Sequence, residues 1–116
     1  MIEASCHCGA VTIEISRAPD TVTDCNCSIC RRYGALWAYY PLADVRVSGP
    51  SKFYIWGDRE IEFHHCETCA CITHWAPVDA SRNRMGVNAR LMEAKILAEA
   101  RVRRLDGAVT EQYLDD

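Results

Sequence analysis

The residues able to do chemistry in this chain are its eight cysteines, and they are bunched. They fall into Cys6-His7-Cys8, Cys25-Asn26-Cys27-Ser28-Ile29-Cys30 and Cys66-Glu67-Thr68-Cys69-Ala70-Cys71. In an extended segment, residues i and i+2 point to the same side; in a C-x-x-C knuckle, the turn brings both sulfurs round one ion. Each group therefore offers thiolates that can converge on a metal. Zinc, held by cysteine sulfur at about 2.3 Å, suits this donor set. Disulfides are the competing use, but neighbours this close mostly cannot bridge each other. Iron–sulfur ligation usually takes four cysteines in a recognisable run, which this sequence lacks.

Two kinds of zinc site can be built. Two half-sites from distant parts of the chain make a closed four-cysteine site. A single C-x-C-x-x-C segment supplies three ligands and leaves a fourth position for water or substrate, the arrangement of catalytic zinc. On this reading Cys6, Cys8, Cys66 and Cys69 staple the start of the chain to its middle, and Cys25, Cys27 and Cys30 form an open tripod. Two zinc ions are then expected, one structural and one catalytic. The spacing does not force this pairing of half-sites.

The elements that must position these groups are short strands. Val11 to Ile15 alternates apolar and polar, the mark of a half-buried strand. Ala35 to Tyr40 is aromatic-rich and stops at Pro41; Val45 to Val47 alternates and ends at Ser48-Gly49-Pro50. Phe53 to Trp56, a turn at Gly57-Asp58 and Ile61 to Phe63 make a hairpin that runs back towards the last cysteine group. Ile72 to Ala76 and Arg84 to Val87 are further strands, and only Ala89 to Ala100 has a helical composition. Many short strands between turns imply a mostly β domain.

The chain has 116 residues, 49% of them hydrophobic, with no linker or repeat, so residues 1–116 are expected to form one domain with one modest core. The first residues show no basic or apolar leader, and the longest uncharged apolar stretch, residues 35–43, is far short of the roughly 20 residues of a membrane span. A cytoplasmic location follows as the expectation, and with it reduced thiols. A net charge of −3 argues against a dedicated nucleic-acid binder. Arg101, Arg103 and Arg104 read as solvated surface.

Taken together, Cys6-His7-Cys8-Gly9-Ala10-Val11, Cys25-Asn26-Cys27-Ser28-Ile29-Cys30-Arg31-Arg32-Tyr33-Gly34, Cys66-Glu67-Thr68-Cys69 and Val87-Asn88-Ala89-Arg90 resemble the glutathione-dependent formaldehyde-activating enzyme family, also called the centromere protein V family. The likeness runs from residue 6 to about residue 92, and Arg104-Leu105-Asp106-Gly107 resembles the family's ending. It implies a β-tent of small antiparallel sheets around zinc, with the first and last cysteine groups structural and the middle group catalytic. The implied reaction is addition of the glutathione thiol to formaldehyde, a carbon–sulfur lyase chemistry run in reverse, with glutathione as co-substrate. The alternative from the residues alone is a non-catalytic zinc module that binds a protein or nucleic acid; a fourth protein ligand at the middle site would favour it.

Two positions depart from the family pattern. Ala70 replaces a glycine, a tolerated change if the backbone there does not need positive φ. Cys71 replaces a threonine and reads as a small buried hydrophobe, or as a fourth ligand closing the tripod. Arg31 and Arg32 flank the tripod and are candidate contacts for glutathione carboxylates, since guanidinium forks match them. Trp37, Tyr39, Tyr54, Trp56 and Trp75 are read as core before pocket walls. His7, His64, His65 and His74 are candidate proton shuttles, with a structural role first for His74. Asn88 and Arg90 receive no role.

Overall fold

The period-two segments do become strands. The computed structural model describes residues 1–115. In chain order its elements are β1 (Ile2–Ser5), β2 (Thr12–Ile15), β3 (Thr21–Cys25), the short helix α1 (Cys30–Tyr33), β4 (Trp37–Tyr40), β5 (Val45–Ser48), β6 (Ser51–Tyr54), β7 (Ile61–Cys66), β8 (Ile72–Pro77), β9 (Met85–Asn88), α2 (Ala94–Glu99), β10 (Arg101–Asp106) and β11 (Gln112–Tyr113). The helical stretch expected over residues 89–100 is broken into a 3-10 turn at Ala89–Leu91 and α2. Sequence patterning does not find β1, β3, β10 or β11. In β3 two adjacent residues, Val22 and Thr23, are both buried, so strict alternation is lost. In β10 three arginines mask the strand signal.

The strands make two sheets. One is three-stranded, in the order β1-β2-β5. The other is eight-stranded, in the order β11-β10-β3-β4-β9-β8-β7-β6. Every pair is antiparallel except β10 with β3, which run parallel with Val102 opposite Val22. A parallel pair needs a long crossover, here the whole of the chain between β3 and β10. The domain is mostly β, as expected, though one sheet is large and contains this one parallel pair.

The main core joins the two sheets. Ile13 and Ile15 from β2 meet Val22, Ala38, Tyr40, Met85 and Val87 of the large sheet, with Ile96 and Leu97 of α2 packed against them. Each aliphatic side chain fully buried there contributes roughly 1.5–3 kcal/mol. Two smaller cores stand apart, and both are built on cysteines. One holds Cys6, Val11 and Cys66; the other holds Cys25, Cys30, Ala35, Trp37, Phe63 and Trp75.

Of the β10 arginines, Arg101 and Arg104 are exposed, as expected, and Arg103 is half-buried. The Arg103 guanidinium lies 3.7 Å from the centre of the Tyr113 ring, and Arg104 faces Asp115 at 3.6 Å. No helix among the described residues is long and apolar enough to cross a membrane.

Candidate metal centres

The first and last cysteine groups meet. Cys6 and Cys8 sit on the turn after β1, Cys66 ends β7, and Cys69 lies on the turn into β8. The sulfurs of all four lie within 4.8 Å of one another, with Cys6–Cys8 and Cys8–Cys66 each at 3.7 Å. Sulfurs placed tetrahedrally at about 2.3 Å from zinc would stand about 3.8 Å apart, so the spacing fits a four-thiolate zinc. Backbone N–H groups point at the sulfurs: Val11 donates to Cys6 at 3.3 Å, and Thr68 and Cys69 donate to Cys66 at 3.3 and 3.5 Å. The Cys69 thiol is drawn down to about 5, first by the backbone N–H of Cys71 and then by that of Cys8. Such bonds favour the thiolate, the form that binds metal.

The turn around Cys69 corrects one expectation. Ala70 stands at φ +65°, the left-handed region that its missing glycine would occupy freely. The position does need positive φ, and alanine holds it under strain. Cys71 takes the first of its two readings, a small hydrophobe, though it is half-buried. It packs beside Cys6, Val11 and Cys66, and its sulfur accepts the backbone N–H of His7. It belongs to the closed site's surroundings and does not close the tripod.

The middle group forms the second cluster. Cys25 is the last residue of β3, Cys27 lies in the loop, and Cys30 opens α1; their sulfurs lie within 4.8 Å of one another. Among the described residues no fourth histidine, cysteine or carboxylate joins them. The Cys27 N–H donates to Cys25 at 3.5 Å, and the Cys30 N–H donates to Cys27 at 3.4 Å. The Trp37 indole N–H donates to Cys30 at 3.3 Å, and the Gly107 N–H reaches Cys25. The Cys25 thiol is lowered to about 6, first by the hydrogen bond from Cys30 and then by these backbone donors against the opposing effect of burial. Cys30, which gives that bond, is pushed up. Thiolate character is thus favoured at Cys25, with Cys30 held as the thiol that donates to it.

Asn26, between two of the tripod cysteines, ties their loop to the β10–β11 turn. Its Nδ2 donates to Asp106 at 3.0 Å, and its Oδ1 accepts the Ala108 N–H at 3.0 Å. These bonds hold Gly107 against the sulfurs. Nothing in the sequence spacing singles out Asn26 or Trp37 for this work; both become visible only through contact.

The tripod forms part of the lining of a cavity of about 360 Å³, walled by Trp37, Tyr39, Trp56, Phe63 and Trp75. Tyr54 lies next door, with Trp56, Ile29 and Arg32. Of the aromatic residues read as core, Trp37 and Trp75 are buried and also wall the pocket and Tyr39 is half-buried, but Tyr54 and Trp56 are exposed, so for these two the core reading fails. Trp75 can lie flat over β9 because Gly86, its cross-strand partner, has no side chain to meet the indole.

The sequence matches the family model described as glutathione-dependent formaldehyde-activating enzyme over residues 1–104, which takes in all three cysteine groups. The chain belongs to this family. A crystal structure of a Rhodobacter sphaeroides protein is similar to it, at 33% identity and a TM-score of 0.73, covering 87% of this chain and 99% of that one. No curated protein matches the sequence.

In this formaldehyde-activating enzyme family member, the other candidate residues spread out. Arg31 and Arg32 lie on α1, both exposed. Arg32 donates to the Ser28 carbonyl at 2.8 Å and borders the hollow beside the tripod cavity. Arg31 lines none of the hollows described here. His64 and His74 stack at 4.3 Å on adjacent strands; His64 is held by Ser51 and Glu62, each at 2.9 Å, and His74 by Thr73. Neither lines the tripod cavity. Asn88 and Arg90 acquire structural roles. Asn88 donates to the Ile72 carbonyl at 2.8 Å and accepts the Arg90 N–H, and the Arg90 side chain donates to the Gly34 carbonyl at 2.7 Å, fixing the end of α1.

Proposed function

We propose that the chain is a zinc-dependent enzyme that adds a glutathione-type thiol to formaldehyde or a related small aldehyde, a carbon–sulfur lyase acting in the direction of addition. The observation that carries this reading is a three-sulfur group with no fourth side-chain ligand among the described residues, opening onto an aromatic-walled cavity of about 360 Å³. A saturated four-ligand centre there would have favoured a non-catalytic binding module.

Cys25, Cys27 and Cys30 would hold one zinc, and Cys6, Cys8, Cys66 and Cys69 a second, structural ion. A zinc on three thiolates would supply a soft, weakly acidic centre suited to binding one more sulfur as thiolate near neutral pH. The chain's own contribution is geometric. The Trp37 and Gly107 N–H groups fix two of the sulfurs and draw charge from them. The aromatic walls confine thiol and aldehyde together, and positioning of this kind is worth up to several kcal/mol. In the reaction the sulfur forms a bond to the carbonyl carbon, the C=O π pair moves to oxygen, and the thiol proton ends on that oxygen. The product is S-hydroxymethylglutathione, with no oxidant or reductant consumed. Arg31 and Arg32 are proposed contacts for glutathione carboxylates, residues 1–116 act as one catalytic unit, and the reducing cytoplasm is the setting such thiols require.

Calorimetric titration of the zinc-loaded protein with glutathione tests the reading. Binding at millimolar concentration or tighter, with faster formation of S-hydroxymethylglutathione from formaldehyde, is expected. No binding at millimolar glutathione overturns it.

A further inference from the structure

The tripod cavity is not the end of a pocket. On one side it shares Ile29 and Trp56 with a hollow of about 350 Å³ in which Arg32 is the only charged lining residue among the described residues. On the other it shares Tyr39, Ile61, Trp75 and Glu111 with a hollow of about 430 Å³. That second hollow is charged in both senses, with Arg82 and Arg84 facing Asp58, Glu60 and Glu111. The sulfur-lined cavity thus adjoins both hollows, which share no lining residue with each other, and the three spaces are read as one trough.

The two ends differ in what they can bind. The Arg84 guanidinium lies 4.1 Å from the centre of the Tyr39 ring, at the border with the tripod cavity, and has no carboxylate within 4.0 Å among the described residues. Arg82 touches Glu60 only loosely, at 3.8 Å, with both side chains well exposed. This end offers donors for a carboxylate and acceptors for an ammonium group side by side. At the other end Arg32 spends one donor on Ser28 and, among the described residues, has no acid beside it to take the rest of its fork. That end suits a lone carboxylate.

We infer that the trough is built for a thiol carrying its sulfur in the middle and an anion at each end, and that it sets the direction of that thiol. The end bearing both carboxylate and ammonium lies at Arg82 and Arg84, and the end bearing carboxylate alone lies at Arg32. For glutathione this puts the γ-glutamyl group on the Arg84 side and the glycine carboxylate on the Arg32 side. The inference rests on the thiol-binding reading of the tripod and adds to it the orientation and the residues that impose it.

Two truncated thiols separate the ends: γ-glutamylcysteine lacks the glycine, and cysteinylglycine lacks the γ-glutamyl group. Affinities of both and of glutathione are measured calorimetrically for the zinc-loaded wild type, Arg84→Gln and Arg32→Gln. Zinc content and circular dichroism establish that each variant is folded and loaded. Arg84→Gln should weaken glutathione and γ-glutamylcysteine about tenfold, the effect of one lost charge-assisted bond, and leave cysteinylglycine within about twofold. Arg32→Gln should do the reverse for the two fragments. Interchanged patterns, or glutathione binding that neither variant alters, overturn the inference while leaving thiol binding intact. Should Arg32→Gln lose zinc because its bond to Ser28 is gone, the Arg84→Gln arm decides alone. Failure of the wild type to bind glutathione overturns the functional reading and the inference together.

Discussion

Gly107 closes on Cys25 so tightly that a Cβ built on the glycine would stand 2.5 Å from the cysteine sulfur. The same glycine gives its N–H to that sulfur. A residue more than eighty positions away in sequence thus sets how the tripod is packed and charged, because parallel pairing places Leu105 of β10 opposite Cys25 of β3.

Gly107→Ala should therefore damage the middle site alone. A methyl group at 2.5 Å from sulfur and 3.4 Å from the Cys27 Cβ cannot be accommodated without moving the ligand loop. Zinc measured by elemental analysis should fall from two towards one per chain, or the second ion should bind at least about tenfold more weakly. Circular dichroism should be unchanged, since the four-cysteine site and the main core are elsewhere. Two tightly held zincs in the variant would contradict the account.

The two metal sites should respond differently to loss of a ligand. Cys6→Ser or Cys69→Ser removes a staple between the β1 end and the β7–β8 turn, and structural zinc in small domains is worth roughly 10 kcal/mol to folding. These variants should be unfolded or insoluble. Cys27→Ser should be folded, lack the second zinc and be inactive. A soluble Cys69 variant beside an insoluble Cys27 variant, read by expression and thermal melting, would reverse the assignment of the sites.

Ala70→Gly should stabilise the protein. A non-glycine residue in the left-handed region costs about 1–2 kcal/mol, against about 0.4–1 kcal/mol of extra chain entropy that glycine brings to the unfolded state. With φ of +65° at Ala70, the net expectation is a gain of about 0.5–1 kcal/mol. Denaturant midpoints at saturating zinc check the sign.

His74 should make the fold sensitive to mild acid. Burial, and secondarily the neighbouring His64, hold its pKa down to about 3, against 6.5 for the free side chain. Between those values the unfolded chain binds a proton that the folded chain refuses. Stability contributed by neutral His74 is therefore present above pH 6.5 and lost as pH falls towards 3, at up to about 1.4 kcal/mol per pH unit. At fixed excess zinc, a folded His74→Leu variant should show a pH slope smaller by one proton between pH 6 and pH 4.5 on that basis. Equal slopes for the two proteins would remove His74 from the acid response.

Alternation between apolar and polar residues located β2 and β5, because in each the apolar side chains of one face are more buried than the polar ones of the other, and β7 was read from the hairpin turn before it. It missed β10, whose arginines owe their places to a ring, Tyr113, and a carboxylate, Asp115, that local patterning does not connect to them. The turn at Ala70 shows the same limit, for a residue name does not report its φ.

What the sequence determined by itself was the chemistry: which atoms can hold metal, and in which local groups. Spacing of two or three residues is a local property, and thiolate geometry follows from it directly. Only the tertiary structure decided the rest. It brought Cys6 and Cys8 to Cys66 and Cys69, placed Gly107 and Trp37 on the tripod sulfurs, and put Arg32 and Arg84 in two separate hollows that adjoin the tripod cavity. Those relationships depend on strand pairing between distant segments, and pairing is fixed by how the whole chain buries its apolar faces.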